Sequence, residues 1–154
     1  MSSPSEPRDM FETIVIATDG SESVQRAVDV ALDLSRRFDA AVHAVSIVDT
    51  DEVESSPERL QEELETALKE QAEEALSDVR ASTDLDVTTA VLVGRPAAEI
   101  REYAERHDAD LVAMGTRGRH GENRFLLGSV AERIVRTCPM PVLTVRQLAA
   151  DEMP

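Results

Sequence analysis

Short apolar runs alternate along the chain with longer stretches in which apolar residues return every three or four positions. Ile14-Val15-Ile16-Ala17 is the first run. It is rich in β-branched residues and ends at Thr18-Asp19-Gly20-Ser21, which predicts a buried parallel strand leading into a turn. Val24, Ala27, Val28, Ala31 and Leu32 follow at helical spacing, with Ser21 as N-cap. Ala41 to Val48 predicts a second strand, with His43 as a packed or partly exposed strand histidine. Asp49 to Ser56 is acidic and polar, and reads as a loop. Pro57 suits the first position of a helix after Ser56 as cap. Leu60, Leu64, Ala67, Leu68, Ala75, Leu76 and Val79 mark the apolar face of that helix. Asp86 to Val93 predicts a third strand, with Val87, Val91 and Val93 alternating in burial. Gly94-Arg95-Pro96 turns the chain into a third helix, with Ile100, Tyr103, Ala104 and His107 along one side. Leu111-Val112-Ala113-Met114 is a fourth strand. Val130, Ile134 and Val135 mark a helix to about Thr137, and Pro141 to Val145 is a fifth strand.

The resulting order, βαβαβαβαβ, predicts an α/β fold, a parallel sheet covered on both faces. Ligands in such sheets bind beyond the carboxyl ends of the strands, where the strand order reverses. One stretch stands there. Gly115 to Ser129 joins the fourth strand to the fourth helix and holds four of the six glycines, Gly115, Gly118, Gly121 and Gly128. Glycine lets the backbone approach a bulky ligand closely. A helix N-terminus adds unpaired N–H groups and partial positive charge. Ser129 supplies a hydroxyl, and Arg117, Arg119 and Arg124 supply full charge. The stretch is a candidate phosphate cradle; the alternative is a long surface loop with tolerated glycines and solvated arginines. Asp19, ending the first strand, has two readings as well, a site carboxylate or a cap of the first helix.

Composition narrows the function. The 154 residues suit one domain, 10–147, between a disordered polar leader, 1–9, and a polar tail, 148–154. The leader lacks the features of a secretory signal, and no apolar run is long enough to span a membrane, so the expected location is cytoplasmic. Sixteen basic residues against 31 acidic ones give a net charge of −15, and Lys69 is the only lysine. Such a surface repels nucleic acid. Dense Asp and Glu with almost no lysine suits molar salt, where screening is short-ranged, so a halophilic origin is expected. The single cysteine, Cys138, cannot form an intrachain disulfide, and a packing role is expected for it. The G-x-x-x-x-G-K-[ST] phosphate loop is absent, which excludes a P-loop ATPase.

The spacing Gly115-x2-Gly118-x9-Gly128-Ser129 resembles the nucleotide-binding signature of the universal stress protein family, in its ATP-binding branch. Three other segments agree, in the right order: Ile14 to Ser21, Val93-Gly94-Arg95-Pro96-Ala97, and Cys138-Pro139-Met140-Pro141-Val142-Leu143-Thr144-Val145. The resemblance runs from about Met10 to Arg146. It implies a three-layer, doubly wound, Rossmann-like sheet of order 3-2-1-4-5, which would bring Asp19 and Gly115 to one crevice. It also implies roles. Gly115, Gly118, Gly128 and Ser129 would hold phosphates and ribose, with the Val130 N–H and Arg119 beside them. Asp19 would lie near base and sugar, or help hold Mg2+ or Mn2+. Ala17, Thr18 and Met114 would line the floor, and the backbone of Ile47 would meet the adenine edge. The expected activity is ATP-dependent regulation through occupancy; a scaffold or small-ligand binder and a slow ATP hydrolase are the alternatives. A homodimer through the fifth strand, using Val142 and Val145, is also implied.

Overall fold

β1 (Thr13–Ala17) lies at the centre of the sheet because both of its faces are apolar. Successive strand side chains point to opposite faces, so Ile14 and Ile16 enter one core and Val15 and Ala17 the other. Ile14, Val15 and Ile16 are fully buried. The computed structural model describes residues 11–117 and 127–148. β2 (Ala41–Asp49) and β4 (Leu111–Gly115) pair with β1 in parallel, with Ile14 opposite Val42 on one side and Leu111 on the other. β3 (Val87–Gly94) adds outside β2, and β5 (Val142–Val145) adds outside β4. The sheet order is β3-β2-β1-β4-β5, all parallel, as expected.

Helices cover both faces. α1 (Gln25–Phe38) and α3 (Glu58–Ala81) bury Val28, Ala31, Leu32, Leu76 and Val79 against the Ile14 and Ile16 side. α4 (Pro96–Arg106) and α5 (Ser129–Thr137) bury Ile100, Tyr103, Ala131 and Ile134 against the Val15 and Val45 side. The floor of the molecule is clipped at β1: the Asp110 carboxylate accepts the backbone N–H groups of Glu12 and Thr13 at 2.9 and 3.1 Å.

Several expectations need correction. The acidic segment after β2 is not a plain loop. β2 runs on to Asp49, whose carboxylate accepts the Asp51 N–H at 3.0 Å and so caps a short helix, α2 (Thr50–Glu54). Ser21 does not cap α1 with its side chain; a 3-10 turn, Glu22–Val24, comes first, and the Ser21 hydroxyl bonds that of Ser23. α3 begins at Glu58, with Pro57 at the cap position and no side-chain cap. Leu60 and Ala67 are exposed on α3, whereas Ala72 is buried. Leu64, one turn on from Leu60, is partly buried against the small cluster of Val48, Leu68 and Ala72. On α5, Ile134 is fully buried and Val135 is 50% exposed. Val93 is exposed, and His107 lies at the exposed end of α4.

Candidate functional site

The chain leaves β1 toward α1 on one face and leaves β4 toward α5 on the other. Two adjacent strands whose connections part in this way leave a crevice at their carboxyl ends. A cavity of about 330 Å3 occupies that place, within the range of small-molecule sites.

Its floor is the end of β1. The Thr18 N–H donates to the Val45 carbonyl at 3.0 Å, which continues the sheet by one residue. The Thr18 hydroxyl accepts the Gly20 N–H at 3.1 Å, and an Asp19 carboxylate oxygen accepts the Ser21 N–H at 2.9 Å. Gly20 has φ +77°, and a Cβ there would come within 2.9 Å of the Ala75 side chain. The turn thus needs glycine, and it sets Asp19 at the crevice wall. The local Asp19 bond is an Asx turn and not a cap of α1.

One wall comes from β2, with Ile47, Asp49 and, through α2, Glu52. Pro96 and Ile100 of α4 close that side. The opposite wall is β4, ending at Met114 and Gly115, followed by Thr116 and Arg117. A Cβ on Gly115 would lie 3.1 Å from the Ser23 carbonyl oxygen, so the two turns meet closely there and a side chain would press the backbone apart by a few tenths of an ångström. Past the loop, the Gly128 N–H donates to the Thr116 carbonyl at 2.6 Å, and the Thr116 N–H donates to the Val145 carbonyl at 3.3 Å. These bonds tie the start of α5 to the end of β4.

The N-terminus of α5 completes the cavity with Gly128, Ser129, Val130 and Ala131. The first-turn N–H groups of Ser129, Val130 and Ala131 have no intrahelical acceptor, and Gly128 offers no side chain to cap them. They form a ready anion site. Facing them across the cavity are three carboxylates, Asp19, Asp49 and Glu52, and Arg117 is the cation among the described lining residues. The crevice is therefore polarised, with donors at α5 and acceptors at β1 and β2. Among the described residues, no three His, Cys, Asp or Glu side chains stand close enough to hold a metal ion by themselves.

Residues 10–146 match the model of the Universal stress protein family. The chain belongs to that family. A universal stress protein of Methanocaldococcus jannaschii is 40% identical over 142 residues, covering 90% of this chain and 84% of its own. The structure of universal stress protein UspA from Lactobacillus plantarum superposes with a TM-score of 0.74 at 26% identity, covering 88% of this chain and 98% of its own. A universal stress protein solved in complex with cAMP gives 0.66 at 26% identity, covering 90% and 98%.

In this universal stress protein the crevice gathers Ala17, Thr18, Asp19, Ile47, Met114, Gly115, Gly128, Ser129 and Val130, nine of the site residues expected from sequence. Gly118 and Arg119 lie outside the described residues, as do His120, Gly121 and Arg124. Sequence reasoning missed Asp49, Glu52, Pro96 and Ile100. Asp49 and Glu52 were legible as an Asp-x-x-Glu pair after a strand, but only α2 turns Glu52 back over the cavity. Pro96 carried a signal, since it belongs to the Gly94-Arg95-Pro96 turn that the family pattern includes.

Proposed function

We propose that this universal stress protein is a regulatory protein that binds an adenine nucleotide, ATP foremost, in the crevice between β1 and β4. The observation that carries the reading is the convergence of uncapped α5 N–H groups with the close-packed Gly115 and Gly128 backbone, opposite the carboxylate of Asp19. Phosphates would sit at Ser129, Val130 and Ala131, where N–H groups and the helix dipole stabilise negative charge. The sugar and base would lie toward Asp19 and Ile47. A carboxylate accepts ribose hydroxyls, and strand backbone at Ile47 offers a donor and an acceptor to the adenine edge. The cAMP complex of a relative supports the choice of an adenine nucleotide.

Mg2+ or Mn2+ fits this chemistry as a companion of the phosphates. Mg2+ is commonly held by one or two carboxylates plus substrate phosphates, and the described residues offer carboxylates but no cage of their own. Bound there, the ion would offset the charge of a polyphosphate against Asp19, Asp49 and Glu52. Occupancy is the output: the signal is whether the crevice is filled, and this reading assigns no catalytic residue.

A homodimer is part of the proposal. β5 is an edge strand, and an unpaired edge is a template for a second strand. Val145 is buried in the protein's own core, and Val142 packs beneath α5. Pairing would therefore run through the β5 backbone and its outer surface more than through the Val145 side chain. Sedimentation in molar KCl tests it; a monomer at micromolar concentration refutes it.

The deciding experiment is the nucleotide content of the purified, denatured protein, run beside an ATP titration in molar KCl. The expected result is stoichiometric adenine nucleotide and saturable binding. In Gly128→Val, binding should weaken at least about tenfold, or ~1.4 kcal/mol. No nucleotide and no binding by folded protein would sink the proposal.

A further inference from the structure

Two of the three histidines meet on the α4 face of the sheet, toward the end of β2 away from the crevice. His43 Nδ1 and the Tyr103 hydroxyl are 2.7 Å apart. The His107 ring lies 4.8 Å from that of His43 and 4.1 Å from that of Tyr103. The Arg106 guanidinium stands over the Tyr103 ring at 5.9 Å. His43 is half-buried, Tyr103 is buried and His107 is exposed.

From α4 the groups facing His43 are Tyr103, His107 and, behind the tyrosine ring, Arg106. β1 and β3 present Val15 and Thr88 beside it in register. α3 covers the opposite face of β2. Among the described residues neither imidazole has a carboxylate partner. A proton on His107 therefore opposes one on His43, and Arg106 adds a third positive charge to the group. Burial lowers His43 below the ordinary imidazole value, and His107 lowers it further.

We propose that the His43–His107 pair is a proton-binding switch, coupled through α4 and β2 to the nucleotide crevice. The coupling has a physical route. Ile100 and Tyr103 are one turn apart on the buried face of α4, about 4.5 Å along its axis. Pro96 and Ile100 line the crevice, while Tyr103 and His107 hold the other end of the helix. β2 carries His43 and Ile47 on the same face, the one that enters the α4 side of the core. When both imidazoles are charged, the end of α4 is pushed from β2, and the crevice wall at Ile100 moves with it. Acidification then weakens nucleotide binding. By linkage the bound nucleotide disfavours the second proton equally.

The sign follows from the neutral form being the one the fold favours at His43. Its contribution is complete above the ordinary imidazole value, about 6.5, and is lost as pH falls below that. The inference rests on the nucleotide reading, so the test separates the two. Histidine ring titrations by NMR on ligand-free wild type and on His107→Gln examine the pair alone. His107 is exposed, so the substitution leaves the core intact. The His43 titration should move upward in the variant. ATP affinity with Mg2+, measured at about pH 8 and about pH 5.5, brackets the ordinary histidine value. Wild type should weaken about fivefold on acidification, a typical size for coupling between sites, and His107→Gln should lose most of that change. The phosphates titrate alike with both proteins and cancel in the comparison. An unchanged pH dependence in His107→Gln, or a His43 ring indifferent to His107, overturns the proposal. Coupled rings with no ATP binding at either pH overturn the nucleotide reading, and the coupling with it.

Discussion

Single backbone conformations decide much of the local design. Asp39 ends α1 in the left-handed region, φ 53° and ψ 42°, with its N–H donating to the Ser35 and Arg36 carbonyls. An L side chain is unfavourable in that region, and glycine is not. Asp39→Gly should raise stability by about 1 kcal/mol, read as a higher urea midpoint with an unchanged slope. Gly115 is the reverse case: alanine there meets the Ser23 carbonyl, and Gly115→Ala should lower the midpoint and weaken ATP binding together. Cys138 is half-buried, and burial pushes its thiol up, with Arg101 partly offsetting and Glu105 reinforcing the shift. It stays a thiol at neutral pH, so alkylation by iodoacetamide should be slower than for a free thiol and should quicken once the protein unfolds. At this scale the sequence spoke clearly where chemistry and position coincide. Asp19, Gly128 and Ser129 could be picked out because a strand end and a helix start are visible in the pattern. Glu52 could not be placed, since its position in the crevice depends on the path of the five residues of α2.

Elements were legible in kind, and less so in which side they bury. The apolar spacing of α5 admits Val130, Ile134 and Val135 on one face, but consecutive helical residues point about 100° apart. The helix settles with Ile134 against Val15 and Val112, and Val135 is left at the solvent side. Ile134→Ala should cost about 3 kcal/mol, while Val135→Ala should stay within about 0.5 kcal/mol. Chemical denaturation of the two variants distinguishes this packing from the sequence pattern, which treats the two positions alike. α3 shows the same limit. Alanine carries little periodic signal, so the burial of Ala72 depends on its packing against Val48 of β2, while Leu60, two turns earlier than Leu68, stays exposed.

For the whole molecule, order and hand of the sheet followed from the alternation of strand and helix together with the family resemblance. Charge is a property of this scale too. With a net charge of −15, the native surface repels itself, and salt relieves that repulsion as the screening length shortens from about 10 Å at 0.1 M to about 3 Å at 1 M. The unfolding midpoint should rise between low and molar KCl; no gain would count against adaptation to salt. Among the described residues, ion pairs such as Arg37 with Asp33 and Arg136 with Glu132 are exposed and one helical turn apart. Such pairs contribute little, so the expected gain comes from relief of repulsion and not from stronger bridges.

The pairing of β1 with β4 fixes a schedule as well as a shape. Ile14 sits beside Leu111, and the Thr13 carbonyl accepts the Asp110 N–H at 2.8 Å. Thr13 and Asp110 are 97 residues apart in sequence, and contacts so distant form late and slowly. While the chain is being made, β1, β2 and α1 can assemble from local neighbours, but the central slot beside β1 stays open until the fourth strand has left the ribosome. No ligand crevice exists before then. A nascent chain whose emerged part ends ahead of Leu111 should fail to retain ATP, and one whose emerged part extends past Thr137 should hold it, so nucleotide capture would serve as a marker that β4 and α5 have left the ribosome.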